Sequence, residues 1–189
     1  MAGPLRRARD LSLLDAIDAF PHEALSLKVW RVVRGARDPT LGAASRSRWC
    51  NGEFDVLYTS LSRDCAIAEI DALLSIQPVP PSKGQWVAYE LSVTAQKVLR
   101  LADLTTLAKL GVDISRYRER DYTKTQDIAD AAYFLGFDGL IAPSARWSDL
   151  NLMIFTDRLL PANIEISAMS NEPIAWEAWR RARREAPRR

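Results

Sequence analysis

Four residues have types and positions suited to chemistry on a charged substrate: Arg31, Tyr58, Glu69 and Ser144. Glu69 lies in RDCAIAEIDALLS, where Ala66, Ile70, Leu73 and Leu74 recur at the spacing of a buried helical stripe. At about 100° per residue, Glu69 falls beside Leu73 on the margin of that stripe, whereas Asp71 points away. A carboxylate there is either an ion pair at the edge of a core or a charge held for catalysis. Arg31 poses the same choice. Alternation along LKVWRVVRG puts it with Leu27, Val29 and Val33 on one strand face, opposite Lys28, Trp30, Val32 and Arg34. Burying either charge alone is costly, so the two either pair or line one polar pocket. Ser144, in APSARW, follows a strand and reads as a crevice residue or a routine turn serine. Tyr58 precedes the Glu69 helix on its own strand, where a half-buried core tyrosine is the structural alternative.

Several chemistries lack their residues. The one histidine, His22, has no spaced Cys or His partners, and reads as a surface or capping residue. A Ser-His-Asp triad therefore cannot be built around it, and no P-loop or GxGxxG occurs. Cys50 and Cys65 form neither a disulfide framework nor a zinc cluster, so no metal is expected.

The elements that must position these residues follow from periodicity. Residues 11 to 25 suggest a short helix with Leu13, Leu14 and Ile17 on one side, broken near Pro21. LKVWRVVRG reads as a strand, and 36 to 55 as a long irregular loop. VLYTS is a short strand, after which Ser60 or Ser62 caps a helix to about Ser75, with Asp64 in its first turn. QPVPPSKG is a turn-rich connector. QWVAYELSV and KVLRLAD read as two strands, followed by a helix from Leu104 to Leu110. Thr123 and Gln126 match a capping box opening a helix that closes on Gly136. GLIAPS, NLMIF and IEIS complete the strands. Helices and strands mix without regular alternation, which favours one α+β domain. A tail helix docks through Ile174, Trp176 and Trp179.

At 189 residues and 48% hydrophobic, the chain can bury one sizeable core. The net charge of +2 hides an asymmetry. Arg6, Arg7 and Arg9 near one end, and Arg180, Arg181, Arg183, Arg184, Arg188 and Arg189 near the other, leave the stretch between them mildly acidic. Such runs are more often solvated faces than nucleic-acid sites, and no groove-reading motif accompanies them. No run of about 18 apolar residues could span a bilayer, and the first residues lack a secretory signal pattern, so a cytoplasmic protein is expected.

Taken in order, WRVVRG, GAASRSRWCNG, VLYTS, AIAEI and GFDGLIAPSARWSDLNLMIF resemble the motifs of the RES domain, named for its Arg, Glu and Ser. The likeness runs from about residue 27 to 165, between an N-terminal helical extension (1–26) and a basic amphipathic one (166–189). It maps the family's arginine onto Arg31, its glutamate onto Glu69, its serine onto Ser144 and its tyrosine onto Tyr58. The resemblance implies a single mixed-sheet fold similar to ADP-ribosyltransferases, with NAD as substrate and the nicotinamide-ribose bond cleaved by phosphorolysis or hydrolysis. It also implies an Xre-like helix-turn-helix antitoxin as partner, and inorganic phosphate as a possible co-substrate. Substrate contacts would come from Arg48, Trp49, Thr59 and Asn151, with Trp49 as a stacking surface. Transfer of ADP-ribose to a protein, or binding without turnover, are the alternatives. The family's Gly-Arg-Trp-Asn loop appears here as SRWC, so Arg48 and Trp49 match while Ser47 and Cys50 depart.

Overall fold

A computed structural model describes residues 8–35, 37–77, 85–170 and 172–185. The connector prolines and Lys83, together with Arg6, Arg7, Arg188 and Arg189, lie outside the described residues. Helix α1 (Leu11–Asp18) starts at Asp10, whose carboxylate accepts from the N–H groups of Ser12 and Leu13. It is shorter than its apolar pattern suggests. Strand β1 (His22–Arg34) already begins four residues later, because residues 22 to 26 pair with the far end of β5 (Trp86–Arg100) instead of extending the helix.

The other strands are the short β2 (Arg46–Ser47) and β3 (Cys50–Asn51), then β4 (Val56–Ser60), β6 (Gly139–Pro143), β7 (Leu150–Phe155) and β8 (Ile164–Met169). QWVAYELSV and KVLRLAD, which read as two strands, are the two halves of β5, continuous over 15 residues. That length lets one edge of β5 serve two partners, β8 near its start and β6 near its end, while the other edge pairs with β1 throughout. The main sheet runs β1-β4-β7-β6-β5-β8, and the β1–β5 pairing closes five of its strands into a ring. All pairs are antiparallel except β5–β6. Gly139 permits the close approach of β6 to β7, since a Cβ there would collide with the Met153 carbonyl.

A closed sheet has an inside and an outside, and alternation assigns every strand residue to one of them. Val29, Leu57, Leu91, Val93, Ile141, Leu152 and Ile154, from all five ring strands, fill the inside. Outside, α1, α3 (Leu104–Lys109) and α4 (Thr123–Phe134) pack Ile17, Leu107 and Ile128 against Val56, Leu99, Leu140, Met153 and Phe155. A separate outer patch, Val32 and Ala88, is covered by Ala66 and Ile67 of α2 (Arg63–Leu74) and by Ile174 before α5 (Trp176–Glu185). Ile174, Trp176 and Trp179 thus dock the tail helix, as its pattern suggests.

No helix among the described residues is long and apolar enough to cross a membrane. Gly136, with φ +76°, closes α4 in the left-handed conformation that favours glycine. The capping box is not formed. Tyr122 occupies the N-cap without a side-chain bond, Thr123 donates both its N–H and its hydroxyl to Asp121, and Gln126 turns to the carbonyls of Ser47 and Cys50.

Candidate active site

The register of the sheet builds the site. Trp30 of β1 pairs with Ser60 of β4, Ser60 with Asn151 of β7, and Asn151 with Ala142 of β6. Side chains level with one another on a sheet face the same way, so this row presents Ser60 and Asn151 on the outer surface beneath α2. Ser62 caps α2 by accepting the Cys65 N–H, which fixes where the helix starts and therefore where Glu69 projects. Ser144 follows β6 by one residue.

Glu69 meets two donors. The Ser144 hydroxyl donates to Glu69 Oε1 at 2.6 Å, and Asn151 Nδ2 donates to the same oxygen at 2.8 Å. Each partner is itself held. Ser144 Oγ accepts the backbone N–H groups of Arg146 and Trp147, both at 3.0 Å, in a serine turn. Asn151 Oδ1 accepts from the Ser60 hydroxyl at 2.7 Å and from the Cys65 thiol at 3.3 Å. Ser144 and Asn151 are 9% exposed and Ser60 only 3%, so these bonds are shielded from competing water. The edge carboxylate is thus paired with neutral donors and not with a cation among the described residues. Burial pushes the Cys65 thiol up to about 11, with the Glu69 carboxylate nearby adding to that direction.

Arg31 lies one residue along β1 from the Trp30 row, at the same end of the barrel as Ser144 and Asn151. Alternation aims it inward, on the face of Val29, so it forms no ion pair with Glu69. Nη1 is buried and has no hydrogen-bond partner among the described residues. Burial pulls the guanidinium down to about 10, with Arg37 adding to the effect and Asp38 opposing it. An unsatisfied buried donor of this kind fits an anion.

The segment 36–55 is more ordered than its composition suggests, because β2 and β3 form a small hairpin there. Its turn is pinned by Tyr58, whose hydroxyl accepts the Trp49 N–H at 2.9 Å and bonds Ser47 Oγ at 2.7 Å. Burial pushes the Tyr58 phenol far above its ordinary range. Both loop departures are absorbed, since Ser47 supplies that hydroxyl partner and the buried Cys50 thiol donates to the Phe54 carbonyl.

Two expected substrate contacts are placed otherwise. Trp49 is 2% exposed and part of the outer core, so its ring offers no open face for stacking. Thr59 points into the barrel and donates its hydroxyl to the Leu152 carbonyl at 2.8 Å. Arg48 remains accessible, over the rings of Tyr117 and Tyr122 and donating to the Glu119 carbonyl. The Tyr117 hydroxyl in turn donates to the Pro143 carbonyl, just before Ser144. His22 is an exposed strand residue set edge-on to Phe137.

The structure thus brings Glu69, Ser144 and Asn151 into direct contact, sets Tyr58 to hold the adjacent hairpin, and leaves Arg31 at the same barrel end on the other face. Ser60, Cys65, Gln126 and Tyr117 were not legible as site residues. Only Ser60 had a usable signal: it stands two residues from Tyr58 on one strand and shares its face.

A domain model described as the RES domain matches residues 28–177. A probable NAD(+) phosphorylase of Mycobacterium tuberculosis is 33% identical over 161 residues, covering 82% of this chain and 76% of its own length. The fold is similar to a chain in the crystal structure of the M. tuberculosis MbcT-MbcA toxin-antitoxin complex. The TM-score is 0.79 at 20% identity, with 94% of this chain and 100% of that one covered. The matched family model covers most of the chain, which therefore belongs to the RES domain family.

Proposed function

We propose that this chain is an NAD-consuming enzyme that cleaves the nicotinamide-ribose bond, with inorganic phosphate as the attacking group. The observation that carries the reading is the Glu69 carboxylate, held on one oxygen by the neutral donors of Ser144 and Asn151, with no ion-pair partner among the described residues. Departure of nicotinamide with the bonding electron pair builds positive charge on the ribose, as in glycoside hydrolysis. A pre-organised anion at that ribose stabilises the charge as it develops. The bond between the ribose anomeric carbon and nicotinamide nitrogen breaks, a phosphate oxygen bonds the same carbon, and the products are nicotinamide and ADP-ribose 1″-phosphate.

The preference for phosphate over water draws on the relative's name, that of a probable NAD(+) phosphorylase, and on the unsatisfied Arg31 Nη1. Arg31 takes the role of anion donor, to the attacking phosphate or to the pyrophosphate of NAD. Arg48 is a second cation near the rim. Ser144 acts as a positioning donor: its hydroxyl donates a hydrogen bond to Glu69 and its oxygen accepts two backbone N–H groups. Tyr58 holds the hairpin. The similar fold in a toxin-antitoxin complex supports an antitoxin as partner; the helix-turn-helix class of that antitoxin rests on the motif resemblance alone.

The test is incubation of purified protein with NAD, with and without phosphate, followed by proton NMR of the nicotinamide and ribose signals. Phosphate-dependent release of nicotinamide with ADP-ribose 1″-phosphate is expected. Free ADP-ribose at equal rate without phosphate would replace phosphorolysis by hydrolysis, and no nicotinamide release in either buffer would overturn the proposal.

A further inference from the structure

Behind the Glu69 contacts lies a buried relay that the mechanism above does not use. Ser60 Oγ donates to Asn151 Oδ1, the opposite Asn151 atom, Nδ2, donates to Glu69, and the Cys65 thiol adds a weaker donor onto Oδ1. We infer that Ser60 is a positioning residue for the reaction: by bonding Oδ1 it anchors the Asn151 amide in place so that Nδ2 is held on the catalytic carboxylate. The inference rests on the proposed role of Glu69 and deepens it.

Glu69 decides which end of the amide faces it, and Ser60 decides where that end lies. The two ends of an amide are nearly the same size, and rotation about the terminal torsion exchanges a donor for an acceptor. Glu69 accepts only, so Asn151 in the reversed setting would put a carbonyl oxygen against a carboxylate. Ser60 is 3% exposed and directly opposite Asn151 in register, on the same face of adjoining strands, where its hydroxyl donates to Oδ1. A donor onto the carbonyl also polarises the amide and strengthens the N–H donation at the far end. The second donor on Oδ1, Cys65, comes from the first turn of the Glu69 helix. Helix and sheet are thereby tied through one amide, and the Glu69 side chain is steered from behind by Ser60 and Cys65.

The test uses the full chain in steady-state assays of nicotinamide release, together with NMR of the Asn151 side-chain NH2. Ser60→Ala should lower kcat by about tenfold with KM within about twofold, since substrate binding is untouched while the carboxylate loses its fixed donor. The Asn151 NH2 signal, shifted downfield by the charged acceptor, should move toward the value of a free amide. Ser60→Thr, which keeps the hydroxyl, should restore both. The double variant Ser60→Ala/Asn151→Ala should be no slower than Asn151→Ala alone, because Ser60 acts only through the amide. If Ser60→Ala does not fold, Ser60→Cys keeps the volume with a weaker donor and must move the NH2 signal the same way. An unmoved NH2 signal, a raised KM at unchanged kcat, or additive losses in the double variant would each overturn the inference. Failure of the wild-type protein to cleave NAD would instead overturn the proposed function, while the NMR result would still report on the relay.

Discussion

Replacing Glu69 with glutamine isolates its charge from its packing. The glutamine carbonyl can accept both the Ser144 hydroxyl and Asn151 Nδ2, the bonds now received by Oε1 at 2.6 and 2.8 Å, so the geometry survives while the negative charge does not. Glu69 is half-buried and surrounded by polar partners, an environment with an effective dielectric of about 20. A unit charge about 4 Å from the developing positive charge on ribose is then worth about 4 kcal/mol. That corresponds to about a thousandfold in kcat. The assay is nicotinamide release from saturating NAD in phosphate buffer, with thermal melts in parallel. Tm should move by no more than about 2 °C, because no donor is left unpaired. Glu69→Ala is the less informative variant, since it strands two donors and adds a stability cost of about 1 to 3 kcal/mol. A Glu69→Gln protein that melts normally and keeps activity within tenfold of wild type would refute the electrostatic role.

Arg31→Met removes a half-buried cation whose buried Nη1 has no partner among the described residues, so stability should hold or rise while KM for phosphate or NAD increases at least tenfold; melting curves and initial rates at varied phosphate check both. Tyr58→Phe strips the acceptor from the Trp49 N–H and the partner from Ser47, and should cost about 1 to 2 kcal/mol, or roughly 3 to 6 °C in Tm. Cys65 gives a pH signature. Its unfolded thiol ionises near its ordinary value of 9.0 while the folded one holds its proton up to about 11. The unfolded state then binds fewer protons, so stability should fall as pH rises through that window, and urea midpoints for Cys65→Ala should fall less.

The places where sequence reading stopped short share a cause. Helix α1 and strand β1 were separable only by long-range pairing: HEALS has no strong local preference, and it becomes strand because Leu99 and Val98 lie opposite His22 and Glu23. The capping box at Thr123 matched a local pattern, yet Gln126 found better acceptors in Ser47 and Cys50, far away in sequence. Trp49 matched a family position, but whether its ring faces a ligand or the core depends on how a hairpin folds back onto α4. Local rules succeeded where the partners are local. Ser62 caps α2 by bonding three residues ahead, and Gly136 closes α4 at its own φ.

The sequence by itself determined which chemical groups are available and roughly where each sits on its element. Arg31 stands in an apolar strand row, Ser144 just past a strand, and no second histidine exists to build a triad; the stripe expected beside Glu69 is shifted, because α2 packs through Cys65, Ala66, Ile67, Ala68 and Leu74 and leaves Leu73 exposed. Periodicity settles such matters because it depends only on neighbours along one helix or strand. Which groups meet was decided by tertiary structure alone. The register that sets Trp30, Ser60, Asn151 and Ala142 in one row, and the closure that sends Arg31 inward while Glu69 stays outside, depend on strand pairings such as Trp30 with Ser60 and Ser60 with Asn151, between residues far apart along the chain. A one-residue slip in any of them would exchange the two faces and disperse the site.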